Sequence, residues 1–360
     1  MGIGKDGFYH VDDVLQKVPD ATFFIILGGR DLGKSFAIKT HCLQEAVKGS
    51  ELAYIRRFDR EMKQHMNEAY WADVPLKKYT KLDRDTIICD RSALYLGNTD
   101  ETGKRKKAEK IGNTFALNIA GHYKSTMYPK LGNAIFEEFI TDEMYVPDEP
   151  NKLQNLVSTL ARDKQFKVWM IGNTMSRVCP YFTEWSLTNI PNMKPGQIDR
   201  YEMKQAEGTT ITIAVEFAPP RDAVKSSKMF FGKSRDMIVS GQWHSNTYPH
   251  IPVDQFDKLY DINLNMSHFK FCVNLMQSKR DQTNLVLYIT PAKVHKTIRT
   301  ITDEFTLDPL STPCLRSDLG GELLIAKLFK ESRVAFCNNL CGEDFYNALK
   351  NTSIAPFSLM

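Results

Sequence analysis

The 360-residue chain is long enough for two or three domains, and its 42% hydrophobic and 25% charged residues are typical of a folded globular protein, which excludes disorder as its overall state. Its 47 basic and 43 acidic side chains give a net charge of +4, which excludes an acidic DNA mimic and allows a nucleic-acid partner. No run approaches the ~20 apolar residues that span a bilayer and the start lacks the apolar core of a signal peptide, so we expect a cytosolic protein with no membrane partner.

The first half of the chain alternates short apolar, β-branched segments with helical ones. Residues 22–27 (TFFIIL) predict a buried strand, a glycine-rich turn follows, and the periodicity of 36–47 predicts a helix. Strands that alternate with helices indicate an α/β sheet with parallel strands. The further predicted strands are 52–57, 86–89 and 93–96 (as a hairpin), 114–118, 133–136, 168–172 and 209–217.

The composition changes after the first domain. Two prolines within 189–196 mark a break, and 218–227 (APPRDAVKSS) has the composition of a linker. We therefore expect a first domain over 1–217 with a lid region at about 176–217, a connector over 218–252, and a separate α/β domain over 253–360. The predicted elements of this last domain are strands 269–275, 284–289 and 297–302 and helices 322–331 and 343–350.

The turn GGRDLGKS matches the phosphate-binding pattern GxxxxGK[ST] at every position. Glycines let the backbone curl so that its N–H groups point at phosphate oxygens, and the following helix adds its positive end. The lysine is expected to bridge the β- and γ-phosphates of ATP, and the serine hydroxyl to ligate Mg²⁺. The predicted nucleotide-binding residues are Gly28, Gly29, Arg30, Asp31, Leu32, Gly33, Lys34 and Ser35.

Two carboxylates, Glu137 and Glu138, end the apolar segment AIF. In P-loop ATPases the first such acid holds the Mg²⁺ shell and the second orients or deprotonates the attacking water. Adjacent strand residues face opposite sides, so each acid can serve one role. The usual first acid is aspartate, and the longer Glu137 is expected to act through water. Two acids after an apolar run are also a common surface feature, but the P-loop upstream favours the hydrolytic interpretation.

Three further features each have two interpretations. Asn173 ends the segment VWMIG, where it could sense the γ-phosphate or simply terminate a strand. The run 104–110 (KRKKAEK) holds five bases and one acid, and is either a DNA-contacting loop or a solvated one. The seven cysteines include no CxxC pair, which favours free thiols over a metal site or disulfides.

The ordered motifs resemble the DNA-packaging ATPases of phi-29-type bacteriophages. The resemblance is carried by GGRDLGKS, LAYIRR, KSTMYP, AIFEEF, TLARD and IGNTMS, with FYHVDDVLQ before them and PYF after them. The resemblance covers residues 8–201. Beyond residue 201 it is weaker and rests on the hydrophobic pattern and on a final helix–strand–helix arrangement. It implies a P-loop NTPase of the additional-strand, catalytic-glutamate class. It also implies a homo-oligomeric ring, expected to be a pentamer, that docks on the portal of a procapsid and drives double-stranded viral DNA inward.

The resemblance assigns the P-loop and the acidic pair the roles given above, and adds residues that act between subunits. Arg162, in TLARD, matches the family's trans-acting arginine finger, although the loop after it is one residue shorter here. Lys124, in KSTMYP, matches a lysine that also acts from the neighbouring subunit. One of Arg56 and Arg57 is expected to support the nucleotide site or the interface, and the sequence does not distinguish them.

The resemblance further implies a C-terminal domain with an RNase H-like nuclease fold that lacks its catalytic acids. A two-metal nuclease needs carboxylates brought together around paired ions, and the predicted strands FKFCVNL and NLVLYI contain none. Asp303 and Glu304 lie at a strand end, and Glu343 and Asp344 are expected to cap a helix. We therefore predict an ATPase without nuclease activity, which packages a unit-length genome.

A ring translocase is expected to grip DNA phosphates with basic loops that face its pore. The stretch after Glu138 has no lysine where the family's loop carries one, so we expect the grip elsewhere. The resemblance allows, without requiring, a structural RNA between ring and portal, and it implies a location in the host cytoplasm and transiently at the portal vertex. The first DNA-binding candidates are Lys104, Arg105, Lys106 and Lys107, followed by Lys63, Lys110, Lys228, Lys233 and Arg235.

Two other functions fit parts of the same pattern. Another ring-forming P-loop ATPase that acts on nucleic acid, such as a helicase loader or recombination factor, would share Lys34 and Glu138. A nucleotide switch without translocation would need neither a water-activating acid nor a trans finger, so Glu138 and Arg162 argue against it.

Overall fold

The computed structural model describes residues 4, 7–141, 145–162, 164–174, 179–205, 208–220, 247–266, 269–292, 300–302, 311–313 and 323–349. They form two compact units. The first contains the described residues up to 174 and 187–220, and the second contains 179–186 and 247–349. No helix in these ranges is long and apolar enough to cross a membrane. None of the cysteines that the structure describes forms a disulfide, as predicted, and Cys314 lies outside these ranges.

A nine-stranded sheet is the framework of the first unit. Its six central strands run parallel to one another. Two antiparallel strands extend one edge of the sheet, and one antiparallel strand extends the other. The strands are β1 (Phe23–Gly28), β2 (Glu51–Arg56), β3 (Thr86–Asp90), β4 (Ala93–Thr99), β5 (Arg105–Ala116), β6 (Leu131–Glu137), β7 (Lys167–Asn173), β8 (Ile198–Lys204) and β9 (Thr210–Phe217). They lie in the order β3-β4-β5-β2-β6-β7-β1-β9-β8.

Helices cover this sheet, which explains why its central strands read as continuous apolar runs. The described helices of the chain's first two hundred residues are α1 (Asp12–Lys17), α2 (Lys34–Val47), α3 (Gln64–Ala69), α4 (Leu76–Thr80), α5 (Glu149–Ala161) and, in the second unit, α6 (Pro180–Glu184). The α2 helix buries four apolar residues at helical spacing on one face, Ile38, Cys42, Leu43 and Ala46. This packing fixes the start of α2 at the end of β1.

Most strand predictions for the first unit are confirmed, and the largest error concerns the basic run. The hairpin of 86–89 and 93–96 is β3–β4, but the predicted strand 114–118 is the end of the much longer β5. The loop interpretation of 104–110 is therefore wrong, because β5 starts at Arg105, which pairs with Thr99 at the end of the antiparallel strand β4. Both faces of β5 are exposed from Arg105 to Lys110, so this part carries none of the apolar alternation that would mark a strand.

The second unit contains a six-stranded mixed sheet in the order β14-β13-β10-β11-β12-β15. Its elements are β10 (Phe256–Met266), β11 (Phe269–Ser278), β12 (Leu285–Pro291), β13 (Thr300–Thr302), β14 (Ser311–Pro313), α7 (Leu323–Lys330), β15 (Val334–Phe336) and α8 (Asn339–Leu349). Three consecutive strands, β10 to β12, form an antiparallel meander, and the other three add in parallel. The predicted strands do not include β10, whose first half is largely exposed and mixes charged with apolar side chains instead of alternating them.

One prediction for the second unit is wrong. Glu343 and Asp344 do not cap a helix, because α8 begins at Asn339 and contains both. Glu343 is buried and accepts hydrogen bonds from the Tyr248 hydroxyl at 2.8 Å and from Asn347 Nδ2 at 3.1 Å. Its carboxylate therefore joins elements of this unit. Asp303 and Glu304 lie outside the described residues.

A buried acid in β9 makes the stability of the first unit depend on pH. Glu216 accepts a 2.7 Å hydrogen bond from the Tyr9 hydroxyl, and burial raises the pKa of Glu216 to about 7. Between its ordinary pKa near 4.5 and about 7, the folded state binds more protons than the unfolded state, so the free energy of unfolding falls as pH rises. Glu216→Gln has no such titration. As pH rises from 5 to 8, we therefore expect its free energy of unfolding to increase relative to that of the wild type, by about 3 kcal/mol at most.

Urea unfolding at both pH values measures this gain. Glu101→Gln, which removes an exposed glutamate from the turn between β4 and β5, is the control and should show no such trend. An equal stability difference between Glu216→Gln and the wild type at pH 5 and pH 8 would contradict the prediction.

Candidate nucleotide site

The P-loop connects the end of β1 to the start of α2. Gly33 immediately precedes the helix with φ +82°, a left-handed conformation that favours glycine. A Cβ atom at Gly33 would lie 3.1 Å from the Phe8 ring, so this position also has little room. At Gly28, with φ +152°, a Cβ atom would lie 2.9 Å from the Leu32 side chain. The two motif glycines are thus required by backbone shape and by close packing.

The Lys34 ammonium lies inside the loop. Lys34 is buried, and its Nζ donates to Gly28 O at 3.1 Å, to Gly29 O at 2.5 Å and to Asn173 Oδ1 at 3.2 Å. Burial lowers the pKa of Lys34 to about 8, with Glu137 acting in the opposite direction. A phosphate beside this amine would favour its charged form, because opposite charge stabilises the ammonium. Asn173, the last residue of β7, is thereby brought to the P-loop.

Ser35 and Glu137 form the second part of the site. Ser35 Oγ donates to Glu137 Oε2 at 3.2 Å, and the Tyr70 hydroxyl donates to Glu137 Oε1 at 2.6 Å. Burial raises the pKa of Glu137, and the hydrogen bonds from Tyr70 and Ser35 lower it. Sequence reasoning missed Tyr70, since nothing in its local pattern distinguishes it from a core aromatic residue.

The donor set of Ser35 and Glu137 fits Mg²⁺. A hydroxyl and a carboxylate are hard oxygen ligands, and this ion is typically held by one or two carboxylates together with substrate phosphates and waters. Across the described ranges, no group of three or more His, Cys, Asp or Glu side chains is arranged to hold a metal without such help. The residues therefore suit a metal that arrives with a nucleotide.

Glu138 has surroundings that differ from those of Glu137. It follows β6 in a left-handed conformation with φ +54°, and its side chain is 64% exposed, whereas Glu137 is buried. A non-glycine residue in this conformation is uncommon and is held by its surroundings. Arg56 contacts the Glu138 carboxylate at 3.3 Å and also pairs with Glu61 at 2.9 Å. The backbone turn, rather than strand alternation alone, separates the environments of the two acids.

Arg57 supports the same turn from within the core. Its Nε and Nη2 donate to the buried Glu149 carboxylate at 2.8 and 3.1 Å. The same guanidinium donates to Glu138 O at 3.1 Å and to Phe139 O at 2.9 Å. The two arginines that the sequence could not distinguish thus differ: Arg56 contacts the acidic side chain of Glu138, and Arg57 holds the backbone that carries it. No sequence signal indicated Glu149.

Arg162 and Lys124 lie together at the exposed loop 124–128. Arg162 ends α5 with φ +36° and is exposed, and its Nη2 donates to Lys124 O at 3.1 Å and Thr126 O at 3.4 Å. Lys164 Nζ donates to Tyr128 O of the same loop at 2.6 Å. Two cations therefore bind backbone carbonyls of the loop 124–128. In the described part of the chain, Arg162 has no hydrogen bond to the P-loop or to the acidic pair.

The basic run is opposed by acids. Arg105 pairs with Glu68 at 2.7 Å, and Lys107 pairs with Asp90. Lys106 lies 3.9 Å from Asp100, and beyond the first candidates Lys110 pairs with Glu51 at 3.0 Å. Lys104 lies in the turn before β5. Lys63 is exposed next to α3, while Lys228, Lys233 and Arg235 lie outside the described residues.

A groove extends from the P-loop along α2. Its volume is about 750 Å³. The residues that line it include three aromatic side chains from separate segments, Phe8, Phe36 and Tyr79, together with His41 and Asp73. Such apolar, aromatic linings with a few polar groups are typical of small-molecule sites. Sequence reasoning identified none of these residues, because the groove joins segments that are distant in the chain.

The sequence matches the family described as podovirus DNA encapsidation protein (Gp16) over residues 3–303. The DNA packaging proteins of Bacillus phages PZA and phi29 are each 27% identical to this chain over 188 residues, which is 51% of this chain and 51% of each relative. That of Bacillus phage B103 is 28% identical over 177 residues, 47% of this chain and 49% of the relative. The chain thus matches about half the length of these curated relatives.

Two solved structures are similar in fold over most of the chain's length. One is titled the Phi-28 gp11 DNA packaging motor, with TM-score 0.54 and 18% identity over 95% of this chain and 98% of that chain. The other is the bacteriophage Phi-29 viral genome packaging motor assembly, with TM-score 0.56 and 19% identity over 96% of this chain and 99% of that chain. At these identities the likeness shows a shared fold.

Proposed function

The chain belongs to the podovirus DNA encapsidation protein (Gp16) family, and from this we propose that it is an ATP-driven motor that moves double-stranded viral DNA through a portal into a procapsid. The observation that carries the proposal is the convergence of the P-loop, which follows β1, with Glu137 and Glu138 at the end of β6; these two strands flank β7 in the sheet. The groove beside α2 supports it, since a base and ribose could lie against its aromatic lining while the phosphates occupy the loop.

The proposed hydrolysis divides its work among these residues. Loop N–H groups and Lys34 bind the phosphates, and Ser35 and Glu137 would hold the metal shell. Mg²⁺ held there would neutralise negative charge on the nucleotide phosphates. The exposed Glu138, next to Glu137 in the chain, orients the attacking water and accepts its proton. Asn173, which already contacts Lys34, is placed to sense the γ-phosphate.

We assign the first unit to the additional-strand, catalytic-glutamate class. This assignment is supported by the sheet order, in which β7 lies between the P-loop strand β1 and the acidic strand β6. We also propose the domain limits 1–217, with a lid at about 176–217, a connector over 218–252, and 253–360. These limits differ from the compact units at residues 179–186, which cluster with the second unit. For the last domain we propose an RNase H-like fold without nuclease activity, supported by its mixed sheet and by the structural use of Glu343.

The active assembly is proposed to be a homo-oligomeric ring, expected to be a pentamer, in which Arg162 and Lys124 act on the neighbouring subunit's nucleotide. Their shared position at one exposed loop, with no hydrogen bond to the P-loop of their own chain in the described ranges, supports this. The ring would work in the host cytoplasm at the portal vertex, and a structural RNA between ring and portal is a further proposed partner.

We also propose that the start of β5 and the turn before it contact DNA, although ion pairs within the chain must first be broken. The residues are Lys104, Arg105, Lys106 and Lys107. DNA phosphates would have to compete with Glu68, Asp90 and Asp100, which already face three of these bases. Since exposed ion pairs contribute little, about 0–1 kcal/mol each, the exchange is feasible at low salt.

ATP hydrolysis with and without procapsids and double-stranded DNA tests the proposed function. The motor predicts turnover that rises when both are present and disappears in Lys34→Ala. Turnover that responds to neither would favour the alternative, another ring-forming P-loop ATPase of the helicase-loader or recombination type. A single turnover without recycling would instead favour a nucleotide switch.

A further inference from the structure

Glu137 replaces the aspartate that is usual at the metal-side position, and its carboxylate has a partner for each oxygen. Oε2 accepts from Ser35 Oγ at 3.2 Å, and Oε1 accepts from the Tyr70 hydroxyl at 2.6 Å. The two oxygens are therefore distinguished: one faces the serine that would share the metal, and the other faces an aromatic hydroxyl. When a separate hydrogen bond holds each oxygen, the carboxylate keeps one orientation and the same oxygen, Oε2, stays beside Ser35.

Tyr70 is itself held in place by several contacts. Its ring stacks on Tyr54 of β2 with centroids 4.3 Å apart, and packs edge-on against Trp71 at 5.1 Å. The buried Lys39 of α2 donates to Tyr70 O at 2.7 Å, lies 4.6 Å from the ring centroid and pairs with Asp73. A side chain fixed by stacking and by a buried cation loses little further freedom when it holds a carboxylate.

We propose that Tyr70 is a positioning residue for the metal-side acid: its hydroxyl fixes Oε1 of Glu137 so that Oε2 is presented, beside Ser35 Oγ, to the Mg²⁺ of a bound nucleotide. This inference rests on the proposed nucleotide function. The proposal gives the longer acid a role, because the extra methylene of Glu137 carries its carboxylate further from the backbone, where it accepts from both Ser35 and Tyr70. Second partners of this kind orient metal ligands, and their loss typically lowers metal affinity by about 10-fold to 100-fold.

Mn²⁺ binding, followed by electron paramagnetic resonance in the presence of a non-hydrolysable ATP analogue, tests the proposal without relying on activity. Tyr70→Phe keeps the stacked ring and removes the hydroxyl, so we expect Mn²⁺ affinity to fall about 10-fold or more. Nucleotide affinity in the absence of metal and the melting temperature should match the wild type. Tyr95→Phe, the same change in β4, is the control and should leave Mn²⁺ affinity unchanged.

A second measurement separates positioning from a general effect on the fold. In a Glu137→Gln background, Tyr70→Phe should cause no further loss of Mn²⁺ affinity, since Tyr70 acts through that carboxylate. An unchanged Mn²⁺ titration for Tyr70→Phe, or an equal loss in both backgrounds, would overturn the proposal. A wild-type protein that binds no nucleotide would instead contradict the proposed function.

Discussion

Glu138→Gln is expected to slow ATP hydrolysis by about 100-fold to 10,000-fold while ATP binding persists. The amide cannot accept a proton from the attacking water, whereas Lys34 and the loop that bind the phosphates are unchanged. The left-handed turn at Glu138 is held by Arg57 through the backbone, so the substitution leaves the loop geometry intact. Single-turnover hydrolysis with procapsids and DNA, together with the affinity for a fluorescent ATP analogue, measures both parts of the prediction.

Glu61→Gln is the matched control for this prediction. Arg56 lies between Glu61 and Glu138, so each variant removes one carboxylate from the same guanidinium. If Glu138 acts chemically, Glu61→Gln should keep most of the hydrolysis rate. Equal losses in the two variants would show that only the ion pairing of Arg56 matters, and Glu138 would lose its assignment as the catalytic acid.

Arg162→Ala is expected to reduce ATP turnover by about 10³-fold to 10⁵-fold, because a guanidinium at the γ-phosphate stabilises the charge of the transition state. Among the described residues, the Arg162 guanidinium donates to two carbonyls of the loop 124–128, and in the proposed ring it acts on the nucleotide of a neighbouring subunit. Mixtures of Arg162→Ala with Glu138→Gln should regain turnover, since some interfaces then pair an intact Glu138 with an intact Arg162.

ATP turnover, measured as a function of the ratio of the two variants, tests this prediction. Recovered turnover should peak near equal amounts of the two variants and vanish in either pure sample. Arg200→Ala removes an exposed arginine that pairs with Asp20, far along the chain from this loop, and is expected to keep wild-type turnover. Mixtures that stay inactive at every ratio would place Arg162 and Glu138 in one subunit's site, against the ring arrangement proposed above.

Particular elements show where sequence reasoning stops. The strand, loop and helix around GGRDLGKS were predictable because a phosphate cradle is built from consecutive residues. By contrast, β5 was predicted too short, since its first half is exposed on both faces and carries charge instead of alternation. The sequence pattern predicts a helix that begins at 343 with Glu343 as a cap, whereas α8 begins at Asn339 and Glu343 forms buried hydrogen bonds inside it.

The sequence by itself determined the P-loop, the acidic pair and the family, because each depends on residues that are neighbours in the chain or on the order of short motifs. Only the tertiary structure decided which partner each charged or polar group takes. Tyr70 meets Glu137 across 67 positions, Arg57 meets Glu149 across 92, and Arg162 meets the Lys124 carbonyl across 38. These partners are set by strand order and packing, which local patterns do not encode, so the orientation of the metal-side acid and the separation of Arg56 from Arg57 required the fold.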